Sequence, residues 1–166
     1  MKKHFLTFFA TLTLGVITYA QSGFNIGGSI GFPVNDSQFD FTFGFTVDAN
    51  YLFELNPIVA LGPATGYGHG FGDSYYVGPF VGNIEVEDYQ YVPVALAGRI
   101  KLNSRLVTGA DLGYAIAVSD IDDGGFYFRP MIGFNLNERF QLNANYVGIS
   151  DYYYWSTVNL GFSINL

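Results

Sequence analysis

Cysteine is absent from the 166-residue chain, which excludes disulfide bonds and a cysteine-linked lipid anchor. Charge is also scarce, at 13% of residues, and the 7 basic residues are outnumbered by 14 acidic ones. This balance argues against nucleic acid as a partner, because phosphates attract the opposite sign. Beyond the first 20 residues, no apolar run approaches the roughly 20 residues of a membrane-spanning helix. If the protein crosses a bilayer, it must do so as a closed sheet.

The first 20 residues have the form of a cleaved signal peptide. Two lysines precede an apolar run at 5–19, which is too short for a transmembrane anchor. We expect cleavage between Ala20 and Gln21. The remaining residues, 21–166, suffice for one domain and contain five basic and 14 acidic residues, a formal charge of −9.

Phenylalanine, tyrosine and glycine are abundant, a bias that favours strands over helices. The clearest pattern lies at 39–53, where aromatic and apolar residues alternate with small or polar ones. An alternation this long exceeds the usual soluble strand and suits a tilted membrane strand. Similar alternation elsewhere predicts eight strands, at 23–32, 39–53, 58 to about 68, 89–102, 106–118, 126–136, 140 to about 148, and 155–166.

The connectors between these predicted strands differ in length in a regular way. Those at 54–57, 103–105 and 137–139 are short, whereas 69–88 and the acidic loop at 119–125 are long. Outer-membrane barrels have short periplasmic turns and longer external loops. The segment 69–88 is either a projecting hairpin or an extra pair of spans, and its glycines and prolines favour the projection. The sequence thus predicts an all-β fold, an eight-stranded antiparallel up-and-down transmembrane β-barrel with both termini in the periplasm.

The charged residues inside the predicted strands all share the small-and-polar parity, and they are Asp40, Asp48, Arg99, Lys101, Asp111 and Arg129. A basic residue facing mid-bilayer lipid costs roughly 2–4 kcal/mol, so we expect this parity to face the lumen. Because side chains fill an eight-stranded interior, these charges need partners there. We expect a structural network anchored by Arg99 and Asp111. The alternative, a proton or ion path, is disfavoured because a filled interior leaves no channel.

Aromatic residues are also expected near the two membrane boundaries, where amphipathic rings are favoured. The outer girdle would contain Phe39, Phe126, Tyr153 and Trp155, and the inner one Tyr51, Phe53 and Phe140. The alternative reading places these rings in the core of a soluble sandwich. That reading must explain why so much aromatic area comes with so few charges on the opposite face.

The sequence contains few residues that could take part in catalysis or bind a metal ion. The only histidine after the leader is His69, with Ser74 nearby, and its glycine-rich surroundings indicate a solvated loop histidine. Acidic residues in the external connectors could take up divalent ions, but their spacing matches no calcium loop and indicates a solvated surface. They are Asp36, Asp73, Glu85, Glu87, Asp88, Asp120, Asp122, Asp123 and Asp151. We predict no metal, cofactor or catalytic residue.

Several phrases carry a resemblance to a known family: the leader ending TYAQ, YVPVALAGRIKL in the fourth strand, GADLGYA in the fifth, and the terminal NLGFSINL. The chain resembles the small outer-membrane β-barrel proteins of the porin-like, OmpA/OmpX-type superfamily of Gram-negative bacteria. The resemblance implies the cell outer membrane as location. It also implies contact with outer-membrane lipid and lipopolysaccharide, and assembly by periplasmic chaperones and the barrel-assembly machinery. That machinery reads a terminal strand that commonly ends in phenylalanine, where this chain has Leu166.

Three functions follow as hypotheses. The first is a monomeric outer-membrane barrel without an open pore, in a structural, adhesive or surface-interaction role whose ligand the sequence does not identify. The second is a soluble, lipocalin-like barrel that holds a small apolar ligand, which would require the phenylalanine-rich parity to point inward. The third is a lipid-modifying outer-membrane enzyme that depends on His69.

Overall fold

In the computed structural model, the chain forms a closed antiparallel β-barrel. The structure describes residues 22–78, 82–118, 124–150 and 155–166. The barrel strands are β1 (Ser22–Pro33), β2 (Phe41–Glu54), β3 (Val59–Gly72), β6 (Tyr89–Lys101), β7 (Leu106–Ala117), β8 (Gly125–Asn135), β9 (Phe140–Ser150) and β10 (Trp155–Asn165). Two shorter strands, β4 (Ser74–Gly78) and β5 (Gly82–Glu85), form a separate two-stranded sheet. The predicted eight-stranded barrel is confirmed, whereas the leader at 1–20 lies outside the described residues.

The ring closes between the first and last strands. Each barrel strand pairs with its neighbours around the ring, and β1 pairs with β10 in the register Ile30 to Leu160 and Phe32 to Val158. Outside the ladder, Leu166 N–H also donates to Phe24 O at 2.9 Å. Because every strand then has two neighbours, the barrel has no open sheet edge.

The apolar parity faces outward. Ile30 is 59% exposed and Leu160 70% exposed, and phenylalanine, leucine, isoleucine and valine side chains are exposed on all eight barrel strands. Such a surface suits lipid rather than water, because soluble monomers rarely expose large contiguous apolar areas. The lipocalin-like hypothesis requires the opposite orientation. No helix in the described ranges is long and apolar enough to span a bilayer.

Three similar turns connect strands at one end of the barrel, here called the turn end. Asn56 Oδ1 accepts hydrogen bonds from the N–H groups of Ile58 and Val59, at 2.9 and 2.8 Å. Asn103 and Asn137 accept the same pair of bonds from the residues two and three positions later. Each asparagine follows a leucine, so the phrase Leu-Asn marks all three turns. This side chain holds a tight turn by replacing backbone bonds that the ladder cannot provide there.

The opposite end, here called the loop end, contains the longer connectors. The hairpin of β4 and β5 projects there and adds no strand to the barrel, as its glycines and prolines indicated. A 3₁₀ helix at Asn35–Phe39 replaces the predicted turn, so β2 starts at Phe41 rather than at 39. The third strand extends to Gly72, beyond its predicted end near residue 68. The glycine-rich run that suggested a loop is therefore part of the barrel wall.

The predicted outer girdle is wrong for Trp155. This residue lies on the polar parity of β10 and is only 4% exposed, inside the barrel. Its ring meets the Phe41 ring edge-on, with centroids 4.8 Å apart. Phe41 reaches the interior because a register shift between Phe41 and Phe43 interrupts the alternation of β2. Of the other predicted girdle residues, Phe126, Tyr51 and Phe140 are exposed, Phe53 is half-buried, and the side chains of Phe39 and Tyr153 lie outside the described part.

Bulky residues fill the lumen near the loop end and form what we call the aromatic plug: Tyr89, Tyr91, Tyr127, Val147, Ile149 and Trp155, packed with Ala115. Glycines on the inner face of β3 make room for the rings. A methyl group at Gly68 would overlap the Tyr91 ring, and one at Gly70 would overlap the Trp155 ring. The glycine run in β3 is thus a flat surface against which the plug packs.

We predict that Gly70→Ala destabilises the barrel by about 1–3 kcal/mol, because the added methyl group overpacks the plug. Gly98→Ala is the matched control, since its methyl group would meet Leu61 Cδ1 at an ordinary 3.6 Å. Urea unfolding in lipid vesicles, followed by fluorescence of the single tryptophan, measures both. Equal stability of the two variants would contradict the packing role of the glycine.

Candidate functional site

An ion network crosses the middle of the lumen. Asp111 Oδ1 accepts from Arg99 Nη1 at 2.5 Å, and Asp111 Oδ2 lies 2.5 Å from Arg129 Nη2. Arg129 also reaches Asp48, with Nη1 to Oδ1 at 2.6 Å. The register explains the geometry, since Asp111 is directly opposite Arg129 across β7 and β8, whereas Arg99 is diagonal to it across β6 and β7. Two acids and two bases thus neutralise each other inside the barrel.

The structure brings together four of the six charged residues that the strand pattern singled out. Lys101 instead forms an ion pair with Glu54 near the turn end, where both side chains are partly exposed. Asp40 precedes β2 at the loop end, and its backbone carbonyl accepts from Asp73 N–H at 2.8 Å. The sequence pattern does not include Glu54 among the partners, because the predicted second strand ends at residue 53. Glu54 shares the parity of Asp48 and Asn50, and this is the sequence signal that indicates an inward position, which its pairing with Ala60 at the end of β2 bears out.

Below the network, the lumen is lined by amide side chains. Asn25 donates to Asn50 Oδ1 at 3.0 Å, and Gln141 donates to Asn135 Oδ1 at 2.7 Å. Asn159 donates to Asn145 Oδ1 at 3.0 Å deeper in the barrel. All of these amides except Asn159 border a cavity of about 710 Å³ that also includes residues of the 103–105 and 136–139 turns, so it lies at the turn end. We call this cavity the cup.

The three levels of the lumen differ in chemistry. The cup is polar and borders Arg99 and Arg129, which form its inner limit. On the other side of these arginines lies the aromatic plug, where Tyr91 and Ile149 are each only 1% exposed. The described part of the lumen therefore opens toward the turn end and is filled toward the loop end.

His69 lies on the outer face of β3, so its interpretation as a loop histidine is wrong. Its Nε2 is 3.0 Å from Asp88 Oδ2, and its Nδ1 is 3.1 Å from the Tyr67 hydroxyl, which donates to Gln90 Oε1. The histidine side chain is only 14% exposed. The phenylalanine rings of Phe45 and Phe71 cover it, with centroids at 5.5 and 4.4 Å. Both ring nitrogens are therefore engaged in a local network.

Asp88 connects the base of the projecting hairpin to β3. Its Oδ1 accepts from Gly72 N–H at 3.0 Å, at the end of β3, while Oδ2 contacts His69. Asp73 O accepts from Val86 N–H at 2.9 Å just above this point. The two arms of the connector are thus held together where they leave the barrel. Ser74 has its backbone N–H bonded to Asp73 Oδ1, and within the described ranges no hydrogen bond joins Ser74 to His69.

The described residues contain no group of three or more histidine or acidic side chains arranged to hold a metal ion. Four of the acidic residues in the external connectors, Asp120, Asp122, Asp123 and Asp151, lie outside the described ranges.

Comparison with solved structures shows the fold of small outer-membrane β-barrels. Ail, the attachment invasion locus protein of Yersinia pestis, matches with a TM-score of 0.55 at 14% identity, over 90% of this chain and all of that one. Neisserial surface protein A matches with a TM-score of 0.51 at 10% identity, over 87% and 96% of the two chains. A designed transmembrane β-barrel gives 0.54 at 10% identity, over 87% and 95%.

No protein-family profile matches the chain, and no curated protein matches it in sequence. The barrel fold expected from the resemblance is confirmed by these structures, and at such low identities the likeness concerns the fold.

We predict that Asp111→Asn destabilises the barrel by about 3–5 kcal/mol, because it leaves two buried guanidinium groups without their shared carboxylate. Glu54→Gln breaks the partly exposed ion pair with Lys101 and should cost less than about 1 kcal/mol. Equilibrium unfolding in lipid vesicles compares the two variants. A small, equal loss for both would show that the buried network contributes little to stability.

Proposed function

We propose that this protein is a monomeric outer-membrane barrel without an open pore, and that it acts at the cell surface through its loop end. The observation that carries the proposal is a lumen filled on one side, beneath a hairpin that projects from the barrel on that same side. A transport role would need the opposite arrangement, with a continuous polar passage.

Three features support the outer-membrane location. The apolar parity faces outward on all eight barrel strands, and the buried charges neutralise each other inside. The fold is that of small outer-membrane barrels. The expected signal peptide at 1–20 would deliver the chain to the periplasm, where chaperones and the barrel-assembly machinery would receive it. In this orientation the turn end faces the periplasm and the loop end faces outward, in contact with lipopolysaccharide.

The hairpin of β4 and β5 is the element best placed for surface interaction. It pairs only with itself among the described strands, so its outer edges present backbone groups that a partner strand could bind. The names of two proteins with similar folds describe an attachment invasion locus protein and a surface protein. Those names support, by analogy, a surface role for this chain.

The proposal assigns no catalytic role. A general base must present a free ring nitrogen to its nucleophile, whereas both nitrogens of His69 bond to Tyr67 and Asp88. The network around His69 instead holds the base of the hairpin.

Removal of the hairpin tests the proposal. Asp73 and Val86 are already hydrogen-bonded across its base, so an Asn-Gly turn can replace residues 74–85 without disturbing the barrel. Gram-negative cells displaying the intact protein should adhere to epithelial cells or to immobilised matrix proteins more than cells displaying the shortened one. Heat-modifiable migration in detergent gels verifies that both forms fold. Equal adhesion of the two forms, with equal surface amounts, would overturn the assignment of the hairpin.

A further inference from the structure

The basic residues of the chain are segregated to the cup. After the leader, the chain has five basic residues, and all five line this cavity: Arg99, Lys101, Arg105, Arg129 and Arg139. Only three of the 14 acidic residues line it, namely Asp48, Glu54 and Glu138, and Asp111 lies directly behind the arginines. The other ten acidic residues belong to the sequence segments 36–40, 73–88, 120–123 and 151–154, which contain no basic residue. The cup thus carries a small net positive charge, five basic against four acidic side chains, in a protein that is acidic as a whole.

The shape of the cup favours a small ligand. Its volume of about 710 Å³ is within the range of small-molecule sites, roughly 300–1,000 Å³. The walls carry amide and hydroxyl groups, including Asn143 and Ser163, which can bond to a polar ligand. A concave wall of low dielectric also concentrates the field of the charges inside it.

Arg99 has donors left for a ligand at the deep end of the cup. Its side chain is only 8% exposed. Its hydrogen bonds to the described residues all use Nη1, which donates to Gly98 O, Ala110 O and Asp111 Oδ1 at 2.9, 3.4 and 2.5 Å. A guanidinium has five N–H donors, so those on Nε and Nη2 have no acceptor within the described part of the chain. A buried guanidinium with unused donors is suited to a carboxylate or phosphate.

The mouth of the cup adds two further cations. Arg105 and Arg139 lie in the second and third Leu-Asn turns, are exposed, and line the cavity. Neither forms an ion pair within the described ranges, whereas Lys101 is paired with Glu54. These two arginines can therefore attract an anion toward the deeper site.

We propose that the cup binds a small anion bearing carboxylate or phosphate groups, with Arg99 as the deep contact and Arg105 and Arg139 at the mouth. Only the assignment of this end to the periplasm rests on the proposed function, and failure of the adhesion experiment would leave anion binding untouched. Two sources have this chemistry: a soluble periplasmic anion, and the headgroup of an anionic phospholipid in the adjacent leaflet.

Two arms of one experiment distinguish these sources. In the first, the folded protein in nanodiscs of zwitterionic lipid is titrated with citrate and with inorganic phosphate at low salt, by calorimetry and amide NMR. Saturable binding that shifts cup resonances assigns a soluble anion. In the second, phosphatidylglycerol replaces part of the zwitterionic lipid. Shifts at the Arg105 and Arg139 turns in this arm alone assign the lipid headgroup.

Variants at the mouth locate the site. Arg105→Gln and Arg139→Gln lie in exposed turns, and each should weaken binding by about two- to fivefold, the range of single exposed ion pairs. Gln38→Glu is the matched control, because it makes the same change in net charge at an exposed position of the 3₁₀ helix at the loop end and should leave binding unchanged. Arg99→Lys should weaken binding further if the barrel still shows heat-modifiable migration.

Two results would overturn the proposal. One is the absence of cup shifts with citrate, phosphate and phosphatidylglycerol alike. The other is binding that both mouth variants leave as strong as in the unmodified protein, which would place the anion elsewhere.

Discussion

The ion network around Asp111 is the interaction on which the interior of this barrel depends. In a barrel surrounded by lipid, the charges of the membrane-spanning strands have to face inward, where they need partners. Arg99 and Arg129 therefore share one carboxylate, and Asp48 supplies the remaining negative charge. The network fixes the mutual positions of β2, β6, β7 and β8 across the lumen. It also separates a polar cup from a region filled by aromatic rings.

The filled end shows how small and large residues complement each other across the lumen. Gly68 and Gly70 of β3 leave flat wall where the rings of Tyr91 and Trp155 lie. His69 lies between these two glycines on the opposite face of the same strand, where it contributes to the network at the base of the hairpin. One glycine-rich strand thus supports both the closed lumen and the projecting element. The two ends of the barrel therefore differ in both filling and charge, and both proposed functions are assigned to them.

Much of the fold could be predicted from the sequence because a strand alternates with a period of two. If one face of each strand meets lipid, the apolar residues must lie on that face and the polar residues on the other. The short turn after β6 makes Arg99 and Asp111 diagonal neighbours, and the structure shows an ion pair between them. Predictions based on this alternation are wrong where the alternation is interrupted. The register shift near Phe41 reverses one ring, and apolar residues on the inward parity near the loop end, such as Val147 and Trp155, form a plug that polarity alone does not reveal.

The third strand was predicted too short for a related reason. Glycine usually indicates a loop. In β3, Gly68 and Gly70 instead leave space for the rings that pack against them, which only the structure shows. His69 was consequently placed in solvent, although its network with Asp88 needs a contact between distant segments that no local pattern contains. The cup was also missed, although the sequence held one signal. Two of the three Leu-Asn turns contain an arginine, in a chain with few basic residues.

Neighbouring residues of each barrel strand face the outside and the lumen in turn, and this alternation underlies the whole arrangement. Because the chain has no cysteine, a single spin label can be placed at Leu142→Cys or at Asn143→Cys on β9 in lipid vesicles. Leu142 is 51% exposed on the outer face, whereas Asn143 lines the cup. We expect the label at 142 to be relaxed by membrane-dissolved oxygen and shielded from a water-soluble nickel complex, and the label at 143 to show the reverse. The reverse assignment, or equal nickel access at both positions, would contradict it.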